Sequence, residues 1–422
     1  KWRVAFWSAT VSLLLLLIPL PLYAAPFTPG NLVVYRVGSG TGNLVNTGNP
    51  VYLDEYTPSG TLVQSIGLPT TTNGTQKQLI ASGTATAEGI LTRSPDGRYL
   101  LLTGYASNIP GASSLPSSAA TTVPRVIALV NADGTIDTST ALTDFASANT
   151  PRSAVTADGT TIWIAGGSGL HVTTLGATTS TQLASLNSRQ VNIFTDQLYL
   201  SSGAGTNTTR GVNTVGSGLP TTGSPAITRV PGLTDTTNPS TYGFFFADLD
   251  AGVAGIDTLY VADDGAGALR KFSLVSGSWT ANGVIGVDAD DYRGLTSVVA
   301  GSTVTLYATR KGGSGATGGG ELVTLTDNSG YNGTLSGTPT LLASAGSSTA
   351  FRVVALAHHA VDIPPRVSST TPAANATNVV TNSTLILNFN ETVDLTANAA
   401  TLECPSGNTI SLTGLPANDV TN

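Results

Sequence analysis

Six short apolar segments recur in this chain in one local setting, and that recurrence restricts what it can fold into. They are Glu88-Gly-Ile-Leu-Thr-Arg-Ser94, Arg152-Ser-Ala-Val-Thr156, Arg189-Gln-Val-Asn-Ile193, Gly243-Phe-Phe-Phe-Ala-Asp-Leu249, Arg293-Gly-Leu-Thr-Ser-Val-Val299 and Arg352-Val-Val-Ala-Leu-Ala357. Each of the first five precedes a second β-like run. These second runs align with one another as Thr161-Ile-Trp-Ile-Ala165, Gln197-Leu-Tyr-Leu-Ser201, Thr258-Leu-Tyr-Val-Ala262 and Thr305-Leu-Tyr-Ala-Thr309. The last three place Leu-Tyr at the same point, and in most copies a third and a fourth run follow. Turn chemistry separates the runs. Pro95-Asp-Gly97, Ala132-Asp-Gly134, Asp158-Gly159, Pro58-Ser-Gly60 and Val275-Ser-Gly277 supply glycines for the positive φ of tight hairpins, and aspartates that bond to their own turn.

A repeated unit of four short antiparallel strands is the blade of a β-propeller. The ends of the repeat region complement each other. Leu32–Val37, Val51–Tyr56 and Thr61–Ile66 form three strands without a first, whereas Arg352–Ala357 is a first strand without the other three. The sequence therefore predicts an all-β, six-bladed β-propeller over 26–361, closed by a blade assembled from both ends so that no sheet edge stays open. First strands begin 37 to 64 residues apart. The excess over a minimal blade is assigned to loops such as Ser107 to Val123 and Gly203 to Thr228.

Composition agrees with an exported β-protein. Only 10% of the 422 residues are charged, and the net charge of −7 argues against nucleic acid as a partner. Lys1 and Arg3, the apolar stretch Val4 to Ile18 and the small-residue region Pro19 to Ala25 have the layout of a signal peptide ending at Ala24. The mature chain is expected to contain no membrane span and to be extracellular or held at the cell surface. The single Cys404 rules out an internal disulfide, so burial and strand pairing must hold the fold.

After the linker 362–365 the pattern changes. Arg366-Val-Ser-Ser-Thr-Thr-Pro-Ala-Ala-Asn-Ala-Thr-Asn-Val-Val380, followed by Ser383-Thr-Leu-Ile-Leu-Asn-Phe-Asn-Glu-Thr-Val393, resembles the opening of a bacterial Ig-like domain of the SbsA type. The 58 residues from Pro365 to Asn422 fall short of the ~100 of such a β-sandwich, so 366–422 is expected to be an incomplete Ig-like domain. The repeat region is similar to secreted bacterial propellers of the WD40/YVTN-like kind. Some of these precede a catalytic domain.

The strongest functional signal is positional. Arg152, Arg189, Arg293 and Arg352 stand at the entrance of first strands, with Glu88 equivalent in another copy and Tyr242 near that position in the remaining one. First strands line a propeller's channel, so these side chains are expected to converge on one mouth, where guanidinium forks suit carboxylate, sulfate or phosphate. The alternative is that each arginine pairs with a nearby Asp or a strand carbonyl and plugs the channel.

Acidic clusters provide weak calcium candidates: Asp248, Asp250 and Asp257 around one loop, Asp263 and Asp264 at a strand end, and Asp288, Asp290 and Asp291 before Arg293. Their spacing matches no calcium repeat, and solvated turn aspartates are the plainer reading. Catalytic grammar is sparse. His171, His358 and His359 do not have zinc-ligand spacing, and the Gly-rich turns at 166–169 and 312–315 lack the Lys-Ser/Thr and helix of a phosphate loop. The sequence thus supports a binding or scaffold module of a larger protein, whose propeller face or channel mouth meets a glycan, a protein or a small anion. No cofactor is expected beyond structural calcium. The competing reading is part of an extracellular hydrolase, with catalysis in the propeller funnel or in a further C-terminal domain.

Overall fold

The computed structural model describes residues 25–358 except 112, 207 and 234–239, and beyond them 367–373, 376–380, 384, 386–389, 393–395, 402–403, 409–410 and 417–420. The signal-peptide segment, the linker prolines and Cys404 lie outside the described residues. Two compact units are present, 1–360 and 361–422. Among the described residues, strands dominate, two 3-10 turns occur at Leu115–Ser117 and Asp288–Asp290, and no helix is long and apolar enough to cross a membrane.

In the first unit the strands other than Ile80–Ala81 and Gly318–Gly319 fall into six antiparallel sets of four, and Gly318–Gly319 pairs in parallel with Thr349 and Ala350. Sheet 1 is Thr349–Leu356, Leu32–Val37, Asn49–Tyr56 and Leu62–Gly67. Sheet 2 is Thr92–Arg93, Tyr99–Tyr105, Arg125–Asn131 and Ile136–Leu142, and sheet 3 is Pro151–Thr156, Thr161–Gly166, Gly169–Thr174 and Thr181–Ala184. Sheet 4 comprises Val191–Phe194, Gln197–Ser202, Gly211–Val215 and Ile227–Arg229, and sheet 5 comprises Thr241–Ala247, Thr258–Asp263, Ala268–Val275 and Ser278–Gly286. Sheet 6 is Gly294–Ala300, Thr303–Arg310, Glu321–Asp327 and Thr340–Ser344. Ile80–Ala81 stitches sheets 1 and 2 by pairing with Asn49–Pro50 and Tyr105.

The pairing that closes sheet 1 is the one the sequence implied. Val34 lies opposite Val354, and Leu32 opposite Leu356. Burial grades across sheet 1, where Thr349–Leu356 is buried throughout and the fourth strand Leu62–Gly67 is mostly exposed, and the fourth strand of sheet 6, Thr340–Ser344, is mostly exposed too. First strands are therefore innermost.

Hydrogen bonds then join neighbouring sheets into a ring. Ile90 N–H donates to the Arg152 carbonyl at 2.9 Å, and Ser153 Oγ to that of Arg189 at 2.7 Å. Ser201 Oγ donates to Tyr242 at 2.6 Å, Gly243 N–H to Arg293 at 2.9 Å, and Thr309 Oγ1 to Arg352 at 2.5 Å. Arg93 Nη1 closes the circuit on the Ala357 carbonyl at 3.2 Å. Five of the six acceptors or acceptor neighbours are thus the residues singled out at strand entrances, which places them at equivalent points of one ring.

Apolar packing between sheets carries most of the stability. Phe194, Tyr199, Phe244, Phe246 and Trp279 form an aromatic cluster between sheets 4 and 5, with centroids 4.7 Å apart for Tyr199 and Phe246. A fully buried side chain of this kind contributes about 1.5–3 kcal/mol.

Two local expectations need correction. The segment Glu88–Ser94 is strand only at Thr92–Arg93, because Gly89 adopts φ +79° and Glu88 turns into the interior instead of continuing the ladder. The stretch Gly203 to Thr228 is not all loop, since Gly211–Val215 supplies the third strand of sheet 4. Its buried Asn213, bonded to the Thr209 and Gly211 carbonyls, breaks the apolar pattern that would have revealed it.

In the second unit, Val367–Thr371 pairs with Ile386–Phe389, Val393–Leu395 with Ala417–Val420, and Leu402–Glu403 with Thr409–Ile410.

Candidate functional site

Tyr242 is the centre of the arginine mouth. The Arg189 guanidinium carbon lies 3.8 Å from its ring centroid and that of Arg293 lies 5.5 Å away, both within the range of cation–π attraction. Below it, Tyr242 packs with Ile90 and Val353 into an apolar plug. The gap enclosed at this level is only about 10 Å³, room for about one water.

The four arginines share few carboxylates. Arg293 Nε donates to Asp264 at 3.1 Å and its Nη1 to the Gly312 carbonyl, and Asp291 is 3.8 Å away. Arg189 Nη1 donates to Ser240 Oγ at 2.7 Å and is 3.6 Å from the same Asp264, an ion pair without a hydrogen bond. Arg152 has no carboxylate within ion-pair distance among the described residues. It donates to Thr150 Oγ1, Asn187 Oδ1 and the Ser188 carbonyl. Burial, with repulsion from Arg189, pulls its pKa down to about 10.

Arg352 is deeper. It donates to the carbonyls of Gly313 and Gly83, and its Nε has no hydrogen-bond partner among the described residues. Burial lowers its pKa, against the opposing pull of Glu88. Glu88 itself is 3% exposed and accepts from Ser82 N–H at 2.6 Å and from Tyr105 Oη at 2.8 Å. Burial still pushes its carboxyl up to about 7. The six residues therefore do meet, as an outer layer of Arg152, Arg189, Arg293 and Tyr242 and an inner pair of Arg352 and Glu88.

The acidic candidates do not meet. Among the described residues, no three His, Cys, Asp or Glu side chains are placed to hold a metal ion. Asp257 staples a loop by accepting from Leu249 N–H, Asp250 N–H and Thr258 Oγ1, while Asp250 caps Gly252 N–H and Asp248 is exposed. Asp263 accepts from Ser240 and Gly265 N–H and faces Arg270 at 3.2 Å, and Asp264 serves the arginine layer. Asp290 pairs with Arg310 at 3.0 Å, Asp291 has φ +47°, and Asp288 is exposed in the 3-10 turn.

Sequence reasoning missed two features. Arg125, fully buried, donates to four carbonyls and to Ser118 Oγ, and stacks 5.0 Å from Tyr105, which places a second cation behind Glu88. A cavity of about 240 Å³ lies at the opposite end of the first strands, lined by residues of sheets 1, 2, 4, 5 and 6. The signal for it was the run Phe244-Phe-Phe246, whose middle member cannot face the same side as its neighbours in a strand.

Residues 361–421 match the family described as bacterial Ig-like domain. Comparison with curated proteins finds no match. Among solved structures, the chain is similar to a candidate 6-phosphogluconolactonase from Bacteroides uniformis, at 14% identity and TM-score 0.40, over 75% of this chain and 82% of that one. It is also similar to the soluble aldose sugar dehydrogenase of Escherichia coli, at 12% identity and TM-score 0.39, over 71% and 99%. A third is the periplasmic gluconolactonase of Pseudomonas aeruginosa, at 12% identity and TM-score 0.37, over 75% and 82%. Likeness at this level does not bear on the chemistry of this chain, whose propeller-like fold rests on its own strand pairing and whose C-terminal segment is a bacterial Ig-like domain.

Proposed function

We propose that the chain is an exported binding module of the bacterial cell exterior, in which six blades about one channel present the arginine mouth to an anionic group on a glycan or protein, with the Ig-like unit as a spacer. The observation that carries this reading is the charge imbalance around Tyr242. Among the described residues, Arg152, Arg189 and Arg293 share only Asp264 and the half-exposed Asp291 as carboxylate partners. Like charges brought together in a partly desolvated site attract an anion from solution. The channel behind them is plugged, so the anion docks on the surface and does not thread inward. A hydrolytic reading gains nothing here, because the carboxyl with a pKa near neutrality, Glu88, is buried under the arginine layer.

Calorimetric titration with an oligogalacturonate tests the proposal. Wild type is expected to bind with an affinity that falls as salt rises, and the double variant R152A/R189Q to bind at least 10-fold more weakly while melting normally. Equal binding of a neutral oligosaccharide, or an unchanged double variant, overturns it.

A further inference from the structure

The cavity at the far end of the first strands has the composition of a ligand site, and none of its residues belongs to the arginine mouth. Its volume of about 240 Å³ is far above the ~10–15 Å³ that one water needs. The apolar plug of Ile90, Tyr242 and Val353 separates first-strand residues at the two ends.

One wall carries Arg93. This guanidinium is half-buried and bonds one main-chain oxygen, that of Ala357 at 3.2 Å, with no carboxylate within ion-pair distance among the described residues. Burial lowers its pKa, the mark of a cation short of compensation. Across the cavity stands Asn192. Its Oδ1 accepts from Ile193 N–H at 2.9 Å, which orients the amide and leaves its nitrogen free to donate. Thr296, on sheet 6, adds a hydroxyl without a hydrogen-bond partner among the described residues. Phe194 and Phe245 form an apolar side, edge to face at 5.7 Å. A fixed cation, an oriented amide, a free hydroxyl and an aromatic wall around one space suit a guest with a carboxylate at one end and hydroxyls on an otherwise compact body.

We propose that this cavity is a second binding site, for a small hydroxylated carboxylate whose acid group pairs with Arg93 and whose hydroxyls meet Asn192 and Thr296. It is independent of the arginine mouth. The Arg93–carboxylate contact makes charge decisive for this guest. A neutral analogue of equal size would leave the guanidinium unpaired and gain only the weaker polar and aromatic contacts.

The test uses the whole chain and two probes of matched shape, glucuronate and its neutral methyl ester, followed by calorimetry or ligand-observed NMR. Wild type is expected to bind glucuronate at least 10-fold more tightly than the ester. R152A/R189Q, which removes the anion site of the first mouth, is expected to keep that preference, R93Q added to this background to abolish it, and N192A to weaken glucuronate binding several-fold. N192A keeps the test decisive if R93Q melts early. Loss of glucuronate binding in R152A/R189Q but not in R93Q would assign the guest to the other mouth and overturn this site while leaving the first proposal standing. Equal binding of acid and ester, or no binding of either, also overturns it.

Discussion

Tyr105 donates its phenolic hydrogen to the buried Glu88 carboxyl at 2.8 Å, yet the carboxyl still has a pKa near neutrality. Burial, which favours the neutral form, outweighs the hydrogen bonds from Tyr105 and Ser82 and the charges of Arg352 and Arg125. The folded chain therefore holds this proton up to about pH 7, whereas an unfolded chain releases it near 4.5. Between these values the native state binds the extra proton, so stability falls as pH rises from about 4.5 to 7 and is flat above that, by about 3 kcal/mol in all. Glu88→Gln is expected to remove this slope. Melting temperatures from pH 4.5 to 8 would show the wild type declining relative to the variant, and parallel curves refute the assignment.

Asp264 serves both Arg189 and Arg293. Replacing it by Asn keeps its shape and removes the only carboxylate among the described residues that the two cations share. The variant is expected to lose about 1–3 kcal/mol of stability and to bind oligogalacturonate more tightly than wild type, with a steeper salt dependence. Chemical denaturation and calorimetry read the two effects separately.

The closing seam is testable at Val34 and Val354, register partners buried in one apolar cluster. Each Val→Ala change removes two methyl groups from a tight core and is expected to cost about 2 kcal/mol. Because the two face the same space, the double variant is expected to cost less than the sum of the singles. Strict additivity in a double-mutant cycle would count against a shared seam.

Lys271 and Asp327 form a buried ion pair at 2.8 Å, with Tyr260 Oη also donating to Asp327 at 2.6 Å. Burial alone would raise the Asp327 carboxyl, but hydrogen bonds from Lys271, Ser329 and Tyr260 hold it below the usual range. Its folded pKa is depressed, so the stability it provides is present above the unfolded value of 3.8 and is lost as pH falls through the folded one. Lys271→Ala strands that charge and is expected to cost about 3–5 kcal/mol at neutral pH. Lys271→Met with Asp327→Leu should recover most of the loss, as seen by thermal melting.

Ring closure was legible because strand period and turn chemistry survive in the sequence: Leu-Tyr recurs in three second strands, and the orphan strand at 352–357 has one vacancy to fill. The equivalence of Arg152, Arg189, Arg293 and Arg352 was legible for the same reason, since each opens one of the recurring apolar segments, although the strand that carries Arg352 begins three residues earlier, at Thr349. Their partners were not. Asp264 reads as one of two acidic neighbours at a strand end, and only the approach of sheets 4, 5 and 6 gives it two arginines. Likewise, nothing local marks Arg93 as a cavity residue, because the cavity belongs to five sheets at once. The third strand Gly211–Val215 escaped detection where buried Asn213 replaces an apolar side chain with bonds to local carbonyls.

The seam between Thr349–Leu356 and Leu32–Val37 has a mechanical consequence. Leu32 is paired with Leu356, so the two backbones leave the ring side by side at the same end of an antiparallel ladder. Tension applied between the segments that precede Leu32 and follow Leu356 loads that ladder one rung at a time, in the unzipping direction, and does not shear all its rungs together. A tug transmitted along the polypeptide would thus open the ring at this joint before it disturbed any other sheet.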